Sequence, residues 1–384
     1  EILCGLSSVS DLRELMAELN YDVEHAPLPV HDWGQTARAH LEDNPEVVAR
    51  HGDFQIIHCP LDTDKLFKSH ERAVIKKLVQ EHEYALFIFS NDDQTLWHFV
   101  NVKYENDAER RRMFRRMTVG QDGRLHTVTK RMALLDLERV GDIDAGIAPI
   151  DIQVAHDRAF DVEEVTEAFF EDYKEIFWGF QDDLEEFSDD KRWAHDYAQL
   201  FLNRLMFLYF IQRKGWFSED RDFLATLWNT YEQSDRPEDT FIEEWLHCLF
   251  FEALNNNKNL LNSNKRKYLP DDIRRVLHEA PYLNGGLFKR QDDDRKYPDV
   301  SISDAQFERI FNFLEGYNFT IDEGSPIDQE VAVDPEMIGK VYESLVNLSS
   351  EVDERGDAGI FYTPRTEIDL MCRLSLVDNI ANHI

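Results

Sequence analysis

The chain has 384 residues, 42 % of them hydrophobic, which is enough for sizeable cores and for two or three domains rather than one. Its 76 acidic residues outnumber 42 basic ones, for a net charge of −34, so the surface as a whole repels polyanions. No apolar run is long enough to span a bilayer as a helix, and the opening residues lack the charged and apolar regions of a secretory signal, so no membrane partner is expected and the location expected is cytoplasmic.

The acids are dispersed along the whole chain, Lys is the minority among the basic residues, and the core residues are ordinary. This pattern fits a solvated coat adapted to high salt, where the Debye length shrinks to roughly 3 Å at molar ionic strength. A halophilic source is therefore expected, and local charge becomes more informative than the total. Cys4, Cys59, Cys248 and Cys372 lie far apart with no C-x-x-C pair, so reduced thiols rather than a zinc site are expected. A start at Glu1 and an end at Ile384 without a turn signal read as a segment of something longer.

In chain order, residues 61–83 have helical period, with Leu66, Val74, Leu78 and Val79 on one side. Residues 84–90 (YALFIFS) and 96–104 (LWHFVNVKY) flank a polar Asn91-Asp92-Asp93-Gln94 turn and predict a hairpin. Residues 113–119 and 125–128 are expected to add more sheet around a second turn. From about Asp161 the pattern turns helical, over 162–180, 189–215, 241–254, 271–279 and 303–317. Gly215 after Arg213 and Lys214 reads as a helix stop, and Ser303 and Asp334 as N-caps, the latter followed by Pro335. The polar stretch 291–298 predicts a surface loop, and there is no internal repeat. The fold class expected is α+β: a mixed α/β nuclease-like or DNA-contacting domain over 1–150, a mainly helical connector over 160–355, and the start of a further domain over 356–384.

Phrases in the second half carry a resemblance. Residues 203–217 (NRLMFLYFIQRKGWF), 281–288 (PYLNGGLF), 334–345 (DPEMIGKVYESL) and 359–370 (GIFYTPRTEIDL) occur in this order. Together they resemble the region just upstream of the methyltransferase core in type IIG restriction–modification enzymes and related phage-defence adenine-specific DNA methyltransferases. The resemblance covers 195–384 well and 1–150 only loosely. It implies S-adenosylmethionine as cofactor, double-stranded DNA as substrate, and other defence-system subunits as further partners. It also implies that Tyr362, Thr363 and Pro364 form one wall of the cofactor pocket. The physics agrees, because Thr363 can cap a helix opened by Pro364, and the orphan N–H groups of a helix start receive carboxylates. The family's glycine-bearing cofactor loop and its Asn-Pro-Pro-Tyr catalytic motif are absent from this sequence, so these residues alone are expected not to methylate.

Family members often carry a metal-dependent nuclease in front of the connector, with an Asp on one strand and Glu-x-Lys on the next holding Mg²⁺ and orienting water. The hairpin supplies Asp92 or Asp93 and then Asn101-Val102-Lys103, with Asn where the carboxylate belongs. Asp93 (as metal ligand) and Lys103 are the catalytic candidates, with Asp53 and Asp62 as alternative acids; the other reading makes Asp93 and Lys103 solvent-facing hairpin residues. Next comes a basic stretch, Arg110, Arg111, Arg112, Arg115 and Arg116, continued by Arg124, Lys130 and Arg131. Guanidinium forks suit phosphate, which makes Arg111, Arg112, Arg115 and Arg116 candidate DNA contacts; pairing with Glu105, Asp107 and Glu109 is the alternative. Trp97, Trp193, Trp216 and 207–209 are read as core. The function expected is that of the front portion of an adenine-methylating restriction–modification enzyme, with or without endonuclease activity. The alternative is a non-catalytic helical module that binds DNA or a defence partner.

Overall fold

A computed structural model of the chain describes residues 2–31, 33, 35–104, 112–120, 125–255, 258–283, 286–297, 300–320, 328–333, 339 and 365–383. The architecture is α+β and divides into two compact units. The first comprises 1–168, 315–318 and 322–333, and the second 169–314, 319–321 and 334–384. The division falls after Ala168, inside a helix.

The first unit begins with helix α1 (Val9–Glu18) and strands β1 (Asp22–Pro27), β2 (Glu46–His51) and β3 (Phe54–Pro60). Helix α2 (Lys68–Leu78) then leads to β4 (Ala85–Ser90), β5 (Leu96–Tyr104) and β6 (Arg112–Gly120). Helices α3 (His126–Met132) and α4 (Pro149–Ala159) follow, and β7 (Asp328–Glu330) returns late in the chain. The strands form one mixed sheet in which spatial order equals chain order. β3–β4 and β6–β7 are parallel and the other neighbours antiparallel.

Alternation along the strands sends successive side chains to opposite faces. One face carries Ile57, Cys59, Phe87, Phe89, Val100 and Val102 against Val74, Ile75 and Leu78 of α2. Burial of such side chains stabilises by roughly 1.5–3 kcal/mol each before entropy is subtracted. On the other face, the Phe54 ring lies 4.6 Å from that of His156 on α4. The Tyr21 hydroxyl donates to the Leu135 carbonyl and lies 2.9 Å from His156 Nε2.

Helix α5 (Val162–Ser188) runs into the second unit, which continues with α6 (Lys191–Arg213) and α7 (Phe223–Glu232). Two π-helical segments, Phe241–Leu246 and Cys248–Ala253, come next, followed by α8 (Asp271–Glu279), α9 (Asp304–Glu315) and α10 (Arg365–His383). Gly215 closes α6 in the left-handed region at φ +72, with its N–H on the Gln212 carbonyl and that of Trp216 on Ile211. Ser303 opens α9 with a reciprocal cap: Gln306 N–H donates to Ser303 Oγ, and Ser303 N–H to Gln306 Oε1.

Some expectations change. Residues 126–132 form helix rather than strand, because Val128, Met132 and Leu135 bury at helical spacing while the β-branched Thr127, Val128 and Thr129 imitate strand composition. Helix α2 starts at Lys68, not Leu61. Trp97 and Trp193 are core, whereas Trp216 is 41 % exposed just past the end of α6. The stretch from Gln291 contains a helical turn, Asp293–Lys296. The Asp334–Pro335 helix start lies outside the described residues. Cys4 and Cys372 are exposed free thiols, and Cys59 and Cys248 buried ones. Among the described residues, no helix is long and apolar enough to cross a membrane.

Candidate functional site

The catalytic candidates sit at different places on β5. Asp93 is exposed in the turn before the strand, its N–H donating to Asp92 Oδ1. Asn91 builds that turn: its Oδ1 accepts from the N–H groups of Thr95 and Leu96, and its Nδ2 donates to the Asp64 carbonyl. Lys103 lies near the other end of β5, about 23 Å further along at the rise of an extended strand. One metal ion and its lysine do not span that distance, so Asp93 and Lys103 are not brought together. Asp53 and Asp62 are also exposed, in the β2–β3 turn and just after β3.

What surrounds Lys103 is a connected polar network. The register places Asn101 opposite Arg115 and Lys103 opposite Met113, so Asn101, Lys103 and Arg115 share one face. Asn101 is fully buried; its Nδ2 donates to Asp157 Oδ1 at 2.8 Å, and its Oδ1 accepts from Gln153 Nε2 at 2.9 Å. Asp161 receives Arg115 Nη1 at 2.9 Å and faces Lys103 Nζ at 4.0 Å. Arg131 adds an ion pair to Glu164 and a bond to the Asp161 carbonyl. Cations face Asp161 and Glu164, while the amides of Asn101 and Gln153 bind Asp157. Among the described residues, no group of three or more His, Cys, Asp or Glu could hold a metal ion. The donor set does not fit Mg²⁺.

The arginine stretch is split by the pleat. Arg115 and Arg116 are both buried and point to opposite faces, which corrects the expectation of one DNA-facing patch. On the α2 face, Arg116 Nη2 reaches Glu71 Oε2 at 2.8 Å, while Glu71 Oε1 lies 2.5 Å from His98 Nδ1. Burial alone would raise the Glu71 carboxyl, but the charges of His98 and Arg116 outweigh it and hold the group down at about 2. Arg112 is half-buried at the start of β6. Arg111 lies outside the described residues, as do Tyr362, Thr363 and Pro364.

The second unit contains a polar core that the sequence did not announce. Arg204 of α6 and Asp294 are nearly fully buried and joined by bonds of 2.6 and 2.8 Å. Arg204 also donates to the carbonyls of Leu287 and Lys289, and the ring of Phe207 lies 5.8 Å from that of Phe288. One arginine thus ties the phrase 203–217 to the segment that follows the Gly285-Gly286 pair. The signal for it was a lone Arg inside an apolar helical run, with an acid in the polar stretch after the glycines.

The chain is 28 % identical, over 229 residues, to a Methanocaldococcus jannaschii protein named provisionally as a type II restriction enzyme and methyltransferase. The match covers 53 % of this chain and 18 % of that protein, so the chain spans less than a fifth of its relative. The similarity links the chain to restriction–modification proteins. No family model matches it, and no solved structure matches significantly.

Proposed function

We propose that this chain is part of a cytoplasmic restriction–modification enzyme that methylates adenine in double-stranded DNA with S-adenosylmethionine. The observation that carries this reading is the similarity to the methanocaldococcal protein, together with the ordered phrases between 203 and 370. Two structural features support it. Arg204 makes two of those phrases one packed unit. Helix α10, immediately after Thr363-Pro364, exposes Ile368, Leu370, Met371, Leu374, Val377 and Ile380, a surface that needs a covering domain. A methyltransferase region is the cover we assign to it.

In this reading, Tyr362, Thr363 and Pro364 form one wall of the cofactor pocket, and S-adenosylmethionine supplies the methyl group. We assign the first unit a scaffold role, which the packing of Asn101 against Asp157 and of Arg115 against Asp161 supports. Calorimetric titration of S-adenosylmethionine into the protein carrying its methyltransferase region tests the assignment. Thr363→Ala is expected to weaken binding about tenfold, the worth of one charge-assisted hydrogen bond, in a protein that is still folded at the assay temperature. Equal affinities would refute the role of this turn, and a protein that transfers no methyl group to DNA adenine would refute the reading as a whole.

A further inference from the structure

Arg115 and Arg116 are buried and offer no grip on DNA, but the second unit holds a surface suited to one. In a chain where acids are 76 of 384 residues, the tract from Asn255 to Pro270 has no Asp or Glu. It contains Lys258, Lys265, Arg266 and Lys267 among asparagines, folded as short 3₁₀ turns, Lys258–Asn262 and Asn264–Arg266.

Some of these cations hold the surface and others are left over. Lys258 Nζ donates to the carbonyls of His278 and Ala280 at the end of α8. Arg266 binds Glu252 through Nε and Nη2 and reaches the Tyr268 hydroxyl. Arg290 lies 4.2 Å from the centroid of Phe251, the neighbour of Glu252, so the turns and the 286–291 segment border the same π-helical turn. The Arg204 bonds to Leu287 and Lys289 fix that segment from below. Lys265, Lys267, Lys289 and Arg290 are exposed, and none of them has an ion-pair partner among the described residues. Exposed Asn259 and Asn264 add amide donors.

We propose that this surface, residues 258–268 with Lys289 and Arg290, grips the phosphate backbone of double-stranded DNA. The inference rests on the restriction–modification reading and names where that protein holds its substrate. Exposed cations without ion-pair partners release the counterions of the phosphates they neutralise, and amides suit phosphate oxygens. The acid-free tract lowers repulsion along 255–270; Asp271, Asp272 and Asp292 border the surface, and acids farther than a Debye length are screened.

The test measures fluorescence anisotropy of a labelled mixed-sequence duplex over a KCl series with this chain. Replacing Lys265, Lys267, Lys289 and Arg290 together by Ser is expected to weaken binding to every sequence and to flatten the salt slope by roughly 3–4, about 0.9 for each phosphate no longer neutralised. A charge-matched variant, with Ser at Lys65, Lys76, Arg139 and Arg192, is expected to bind like the parent, and so is Arg290→Lys. Melting curves confirm that all variants are folded. Parent-like affinity and slope in the first variant, no duplex binding by the parent, or tighter binding of polyglutamate than of DNA would each overturn the inference. Methyl transfer by the protein carrying its methyltransferase region is scored separately, so a misplaced grip is distinguishable from a wrong functional reading.

Discussion

At Asn101 a single amide anchors a buried polar network. The residue stands where the expected Glu-x-Lys pattern would carry a carboxylate, and its Nδ2 donates to Asp157 in a buried place. Asn101→Asp would replace that donor by a second anion at hydrogen-bond distance, so one carboxyl must take up a proton or water must enter. The variant is expected to lose about 3 kcal/mol in urea unfolding at neutral pH. Part of the loss should return in mild acid, because two adjacent carboxylates raise the pair's pKa in the folded state, and the proton then bound between them restores the bond. An unchanged urea midpoint would mean that the Asn101–Asp157 bond does not contribute to stability. The Asn-x-Lys departure was legible in the sequence. The partners were not, because Gln153, Asp157 and Asp161 reach β5 only when α4 and the start of α5 pack on the sheet.

Elements were most legible where local chemistry decides them. The β4–β5 hairpin, the glycine stop of α6 and the cap of α9 each depend on residues a few positions apart. Ser303→Ala removes an oxygen that satisfies the Gln306 N–H, and is expected to cost about 1 kcal/mol, read as a lower thermal midpoint. Ser303→Asp should retain most of the stability; equal loss in both variants would remove the cap as the cause. Residues 126–132 show the opposite case. A β-branched run reads as strand until burial of Val128 and Met132 selects the helical period. The arginine run misled for a related reason: composition counts charges, whereas a strand deals them alternately to two faces.

For the whole molecule, charge is the dominant sequence property. With a net charge of −34, like-charge repulsion is unfavourable in dilute buffer and screened in molar KCl. The melting temperature is therefore expected to rise from dilute to molar KCl, and a flat or falling curve would contradict adaptation to high salt. Composition, period and capping determined by themselves the α+β class, the sheet hairpin and the long helices, and a few contiguous phrases determined the link to restriction–modification proteins, because each of these depends on local spacing. Only tertiary structure decided that Arg115 and Arg116 are interior ion-pair partners, that Asp93 and Lys103 stand apart, and that Arg204 binds residues more than a helix away. It also brought β7 back beside β6 from far along the chain. The physical reason is common to all of these: a side chain's charge is written in the sequence, but its partner and its exposure are set by which faces come together.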